Sequence, residues 1–239
     1  SPHGVVDPLN FGEVYSGRSL YFGGATEHSD IGDISATMYA MSFWFNSNSD
    51  ISASSGLGHP ICLTDDHSYG GIYFGGWTTS IANEMISIVG NSGGNRNYYA
   101  SATDVILDDM WHHLGITWDS SNSKYKIYLD GVELSVASEG SMSPIVCDYV
   151  MLGRRYSEHH PYHGLLKTIK IFNTSLTESQ LQELYTNPEQ TLPTGVSASN
   201  LKLDLPMQEG SGDYIYDGSG NGNHGTIDGA TWQTGEKDG

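Results

Sequence analysis

The stretch from Trp111 to Leu134 constrains the fold more than any other part of the chain. Leu114, Ile116 and Trp118 alternate with His113, Gly115 and Thr117. After the polar break Asp119-Ser120-Ser121-Asn122-Ser123 the alternation resumes, with Tyr125, Ile127 and Leu129 set against Lys126, Tyr128 and Asp130. Period-two alternation on both sides of a short Asn/Ser-rich turn predicts an antiparallel hairpin. Asp130-Gly131 predicts a second tight turn, because this pair tolerates positive φ at low cost. Strands of this length need an apolar partner layer, so a second sheet is expected over their Leu/Ile/Trp face. The expected fold class is all-β, a two-sheet antiparallel sandwich.

Composition agrees. Only 16% of the 239 residues are charged, and 30 are glycine, which suits short strands and many turns better than long amphipathic helices. A formal net charge of -18 repels DNA, RNA and anionic lipid, so no nucleic-acid partner is expected. The acidity also favours solubility where salt screens surface repulsion. Cys62 and Cys147 each sit in an apolar, strand-like run and are expected as buried free thiols. No apolar run is long enough to span a bilayer and no secretory apolar region opens the sequence, so a soluble protein without membrane insertion is expected.

Along the chain, residues 1–17 read as a loop-like entry and Ser19 to Phe22 as the first strand. Met38 to Asn46 carries apolar groups on both faces, Tyr39, Met41, Phe43 and Phe45 on one and Met38, Ala40 and Trp44 on the other, which predicts a central strand. Further strands are expected near 60–64, 70–76, 84–90, 98–102 and 147–153. One helix signal is complete. Thr177 is the expected N-cap, Gln180 stands at capping-box spacing, and Leu176 and Leu181 are spaced for a hydrophobic staple. The helix is predicted over 178–186, burying Leu181, Leu184 and Tyr185, with Pro188 as its stop. Residues 191–200 read as a linker, Leu201 to Met207 as an alternating strand, and 210–225 as a glycine-rich loop.

From Gly17-Arg18-Ser19-Leu20-Tyr21-Phe22-Gly23-Gly24 through Phe43-Trp44-Phe45, Trp111-His112-His113, Tyr128-Leu129-Asp130-Gly131, Leu152-Gly153 and Gly164 to Leu176, the chain resembles the laminin-G-like, concanavalin A-like jelly rolls. The resemblance spans residues 17–187 and implies a jelly roll over 1–190. The tail also resembles the family, but in the segment that normally opens such a domain, so the order is permuted. Two arrangements are open: residues 201–239 complete the same sandwich, with 201–207 antiparallel to 167–172, or they begin a second repeat. Asn187-Pro188-Glu189 followed by a linker and another Leu-Pro-Met strand resembles the tandem modules of marine phage virion proteins. That resemblance implies a virion component (fibre or head decoration) that contacts host-surface glycan or neighbouring subunits, as a possible homo-oligomer, at the virion surface or outside the cell. The alternative is a carbohydrate-binding module of a secreted glycan-degrading enzyme.

No nucleophile elbow, phosphate-binding loop, HExxH or CxxC pair occurs, and the Glu-x-Asp-x-x-Glu strand usual in glycosidases of this class is absent, so no catalysis is expected. The aromatic-rich segments Tyr69, Tyr73 and Trp77, with Tyr98-Tyr99, offer flat faces for sugar CH groups beside Asp65, Asp66 and Asn97 as hydrogen-bond partners. The same tyrosines equally suit packing or subunit contact. His159, His160 and His163 crowd one loop without regular metal-ligand spacing and read as an exposed polar loop. Asp217, Asn221 and Asn223 lie in a glycine-rich, oxygen-rich loop of the kind Ca²⁺ prefers. The family resemblance implies a structural Ca²⁺ there, assisted by acidic residues where this chain has Lys167-Thr168. A Ca²⁺ site and a simple glycine-rich turn both stay open.

Overall fold

A computed structural model describes residues 17–47, 58–64, 70–74, 85–90, 96–100, 108–138, 142–155 and 161–234. The first strands are β1 (Arg18–Gly23), β2 (His28–Gly32), β3 (Ala36–Met38), β4 (Ala40–Ser47), β5 (Gly58–Cys62), β6 (Gly71–Phe74), β7 (Met85–Val89) and β8 (Arg96–Ala100). They are followed by β9 (His112–Asp119), β10 (Lys124–Leu129), β11 (Val132–Glu133), β12 (Val136–Ser138), β13 (Ile145–Cys147), β14 (Val150–Leu152) and β15 (His163–Phe172). After the helix α1 (Glu178–Thr186) come β16 (Leu201–Leu205), β17 (Tyr214–Ile215), β18 (Gly225–Asp228) and β19 (Thr231–Thr234).

Among the described residues these strands form two large antiparallel sheets, an eight-stranded one in the order β11-β10-β9-β4-β15-β1-β19 with β16 also on β15, and a nine-stranded one in the order β12-β8-β7-β6-β5-β14-β2-β18-β17. The hairpin is β9–β10, paired from Asp119↔Lys124 to Leu114↔Leu129. Asp130 (φ 50°) and Gly131 (φ 78°) make the expected tight turn into β11. Both positive φ values fit the type I′ turn that matches strand twist.

Between the sheets lies one apolar core that includes Leu20, Phe22, Met41, Phe43, Phe45, Ile61, Ile72, Leu114, Ile116, Ile127 and Leu166. The two inner faces interdigitate there, as in a β-sandwich. Phe43 and Phe45 face this core from β4, which is central, between β9 and β15. The run from Met38 to Asn46 is not one strand, however. Tyr39 breaks it: β3 pairs with β13 in a separate two-stranded sheet, while the Tyr39 N–H donates to Phe172 O at 2.9 Å. Cys62 and Cys147 are buried, and burial pushes the Cys147 thiol up to about 12.

The helix has the predicted bounds and a complete capping box between Thr177 and Gln180. It lies on the outer face of the eight-stranded sheet, where Leu176, Leu181 and Leu184 pack with Ala40, Tyr128, Phe172 and Leu201. Tyr185, expected to be buried, is half-buried and stacks on Trp44 at 5.7 Å. The segment 191–200 is tied down, contrary to its linker-like composition. Glu183 accepts hydrogen bonds from Gln190 Nε2 and from Thr194 N and Oγ1 at 2.7–2.8 Å, and Leu192 and Val196 pack on the helix cluster.

The tail supplies strands to both sheets, β16 and β19 to one and β17 and β18 to the other. β16 runs antiparallel to the second half of β15, from Phe172↔Leu201 to Ile169↔Leu205, while β1 takes the first half of the same strand. Thr168 (φ 53°) sits in an irregularity of the β15–β4 pairing between Lys167 and Lys170.

Candidate functional site

The helix covers the outer face of the eight-stranded sheet over Ala40, Tyr128, Phe172 and Leu201, whereas Tyr21, Asn46 and Leu165 on the same face are half-buried. Lys170 Nζ of β15 meets Asp204 Oδ1 of the neighbouring β16 at 2.7 Å, with both side chains 4% exposed. Ser42 Oγ and His113 Nε2 are hydrogen-bonded at 2.8 Å. Burial lowers His113 to about 4, and the Lys170 charge acts in the same direction. At the β10–β11 turn, His112 lies between Asp130 Oδ2 (2.7 Å) and Asp108 Oδ1 (3.2 Å). Burial pulls His112 down, but its hydrogen bonds and proximity to these two carboxylates outweigh that and raise it. Asp130 also accepts from the His113 N–H at 2.8 Å, so this cluster fixes the turn to β9. His112 and His113 open β9, an interior strand of the sheet.

The outer face of the nine-stranded sheet differs. Strand register places Tyr214, Thr226, Asp30, Met151, Cys62, Gly71 and Val89 in one row from β17 across to β7. Alternation along each strand sets this row opposite the core residues Ile215, Leu152, Ile61, Ile72 and Ile88. A second row on the same face aligns Tyr73 with Ser87, and Tyr98 pairs with Ser87 in turn.

One half of the face is closed: His59, Tyr73, Ser87 and Met151 are all buried. Among the described residues Ser87 Oγ finds no hydrogen-bond partner, and buried polar groups are rarely left so. The other half is open, with Tyr214 and Thr226 exposed and His28, Asp30 and Tyr149 partly so. Its polar groups are already oriented: Tyr149 Oη donates to Asp30 Oδ2 at 2.6 Å, and Arg154 Nη2 donates to His28 Nε2 at 3.3 Å. Such a surface offers acceptors, donors and aromatic faces together, the combination that orients a polar ligand.

The candidate residues read from the sequence distribute unevenly. Tyr73 is in the strand expected over 70–76, and it is 1% exposed with its ring edge-on to His59. Tyr98 is in register with this row, whereas Asn97 pairs with Ile88, in the row of core residues. Trp77, Tyr69, Asp65 and Asp66 lie outside the described residues, as do His159 and His160. His163 meets Tyr21 Oη at 2.9 Å. The open half was missed because its members are far apart in sequence and meet only through pairing. The signal present was Tyr214 and Tyr216 flanking an apolar Ile215.

The loop at Asp217 is built for a different task. Asp217 accepts from Asp204 N (3.0 Å), Ser219 N (2.9 Å), Ser219 Oγ (2.7 Å) and Asn223 N (2.9 Å), which uses the roughly four lone-pair sites of a carboxylate. Burial pushes its pKa up, but these donors outweigh that and hold the carboxyl below its usual range. Asn221 Nδ2 donates to Leu201 O and Asn223 Nδ2 to Lys202 O, both at 2.9 Å. The three residues therefore clasp the start of β16, and among the described residues no group of three or more His, Cys, Asp or Glu converges on a point. Asp217, the carboxylate of this set, thus has its acceptor sites filled, which leaves it poorly suited to Ca²⁺, a metal that takes six to eight oxygen ligands. Melting temperatures with and without a chelator are expected to coincide, and Asp217→Ala should lower both alike; a chelator-sensitive wild type would restore the metal.

Comparison with known proteins accords with this architecture. Residues 22–182 match the family model Laminin_G_3, described as the concanavalin A-like lectin/glucanases superfamily. Among solved structures, a candidate carbohydrate-binding protein from Bacteroides ovatus superposes with a TM-score of 0.66 at 16% identity, over 93% of this chain and 61% of that one. The chain thus spans less than two thirds of that protein's length. A heptameric SAP-like pentraxin from Limulus polyphemus gives 0.54 at 13% identity, over 89% and 94% of the two chains. The CBM40 of the Ruminococcus gnavus IT-sialidase bound to α2,3-sialyllactose gives 0.51 at 12%, over 70% and 96%. At such identities these likenesses speak for the fold alone. With its two antiparallel sheets and more than half its length matched, the chain belongs to the concanavalin A-like lectin/glucanases superfamily.

Proposed function

We propose that this chain is a non-catalytic glycan-binding module that receives its ligand on the outer face of the nine-stranded sheet. The observation that carries the reading is the contrast between the two outer faces. A helix packs over apolar side chains at the centre of one, whereas the other displays Tyr214, Thr226, Asp30, Tyr149 and His28 with their polar groups oriented and partly open. Two proteins of similar fold, the Bacteroides ovatus protein and the sialidase CBM40, are named for carbohydrate binding, which supports the choice of ligand class. Trp77, Tyr69, Asp65, Asp66 and Tyr98 are proposed as further contacts.

The setting is a finer proposal: a virion fibre or head decoration, working outside the cell against host-surface glycan or neighbouring subunits. The alternative is a module of a secreted glycan-degrading enzyme. Tandem copies of this domain in the flanking sequence would favour the first, and an adjoining catalytic domain the second. The binding itself is tested on a glycan array. Retention of at least one glycan class is expected, weakened about tenfold or more by Trp77→Ala if that residue is an anchor. Failure to retain any glycan would overturn the reading.

A further inference from the structure

The tail hairpin holds two exposed aromatic rings beside the open half of the face. Tyr214 is 54% exposed and Tyr216 is 58% exposed, while Ile215 between them is fully buried in the core. That anchor, and the Tyr214↔Thr226 pairing, fix the backbone. The Tyr216 N–H donates to Glu209 Oε1 at 2.8 Å, and its ring stands edge-on to His224 at 5.5 Å. Tyr216 directly follows β17, and two residues of chain span at most about 7 Å, so both rings lie within reach of one oligosaccharide. Rigid, uncovered tyrosines give large contact area at little cost in side-chain entropy.

We propose that Tyr214 and Tyr216 stack a neutral sugar chain, extending the binding face to the edge of the sheet; this rests on the glycan-binding reading above. The charge around them selects the ligand. Asp213 and Asp228 are exposed nearby, Asp30 shares the Tyr214 row, and the chain as a whole carries a net charge of -18. Carboxylates accept hydrogen bonds from sugar hydroxyls, but they repel uronate, sialate and sulfate groups. A second copy of this chain would set the same acidic patch against itself. β17, with only two residues, is also a poor template for strand addition.

The test uses a panel of neutral oligosaccharides and their sialylated, sulfated and uronate counterparts, with the whole chain and with Tyr214→Ala/Tyr216→Ala. The wild type is expected to retain neutral members preferentially, and the double variant to lose at least about tenfold in affinity at an unchanged melting temperature. Tyr214→Ala alone keeps the test readable if the pair perturbs folding, since the Tyr216–His224 contact remains. Unchanged binding by the variants, or a preference for acidic glycans, would overturn this inference and leave the broader reading standing. A wild type that binds no glycan would sink both. Loss of self-association in the variants without loss of sugar binding would make the tyrosines a subunit contact and overturn the proposal.

Discussion

A chain ending at Gln190 is expected to be insoluble or to lose most of its stability. The missing segment contributes five buried apolar side chains, Leu201, Leu203, Leu205, Met207 and Ile215. At about 1.5–3 kcal/mol each their burial sums to roughly 10 kcal/mol, comparable with the whole net stability of a domain, about 5–15 kcal/mol. Its removal also bares the flank of β15 from Ile169 to Phe172, the β1 edge that pairs with β19, and the β2 edge that pairs with β18. Exposed edges with apolar faces invite aggregation. Solubility and thermal melting of the shortened chain provide the check. An unchanged melting temperature would mean that residues 201–239 belong to a second repeat and borrow this sandwich only incidentally.

Lys170→Met is the point substitution with the largest expected effect, a loss of about 3–5 kcal/mol. The Lys170–Asp204 pair is 2.7 Å long and almost wholly buried, so removing the ammonium strands the Asp204 carboxylate away from water. Breaking one side of a buried pair costs about that much, whereas replacing both partners with apolar groups of similar volume is often close to neutral. Lys170→Met/Asp204→Leu should therefore recover most of the loss. Denaturant midpoints for the two single variants and the double variant form the cycle. A Lys170→Met protein as stable as the wild type would show that the pair contributes nothing to docking β16.

Much of the fold was legible because its signals are local. Alternation around Ser120–Ser123 located the hairpin, and Thr177, Gln180, Leu176 and Leu181 located the helix to the residue. The partner of the 201–205 strand followed from its alternation and from the return path through the helix. The break at Tyr39 was not legible, since period two continues through it and only tertiary pairing of β3 with β13 imposes it. Composition marked 191–200 as a linker, but two hydrogen bonds from Thr194 to Glu183 and the packing of Leu192 and Val196 hold it in place.

The candidate site was less legible for two reasons. Tyr73 reads as a surface aromatic grouped with Trp77, but in β6 it is buried with its ring against His59. The open half of the face is assembled from β14, β2, β18 and β17, whose order in space has no counterpart in the sequence. Asp217, Asn221 and Asn223 were found by composition, and composition alone does not separate oxygens free for a metal from oxygens already committed to backbone N–H groups.

Hydrogen exchange with and without a retained glycan tests the central claim most directly, because it reports which face the ligand covers. If the nine-stranded sheet receives it, amides of β2, β14, β17 and β18 should exchange more slowly on binding, while those of β9, β4 and α1 stay unchanged. Protection confined to the helix and the eight-stranded sheet would contradict the account.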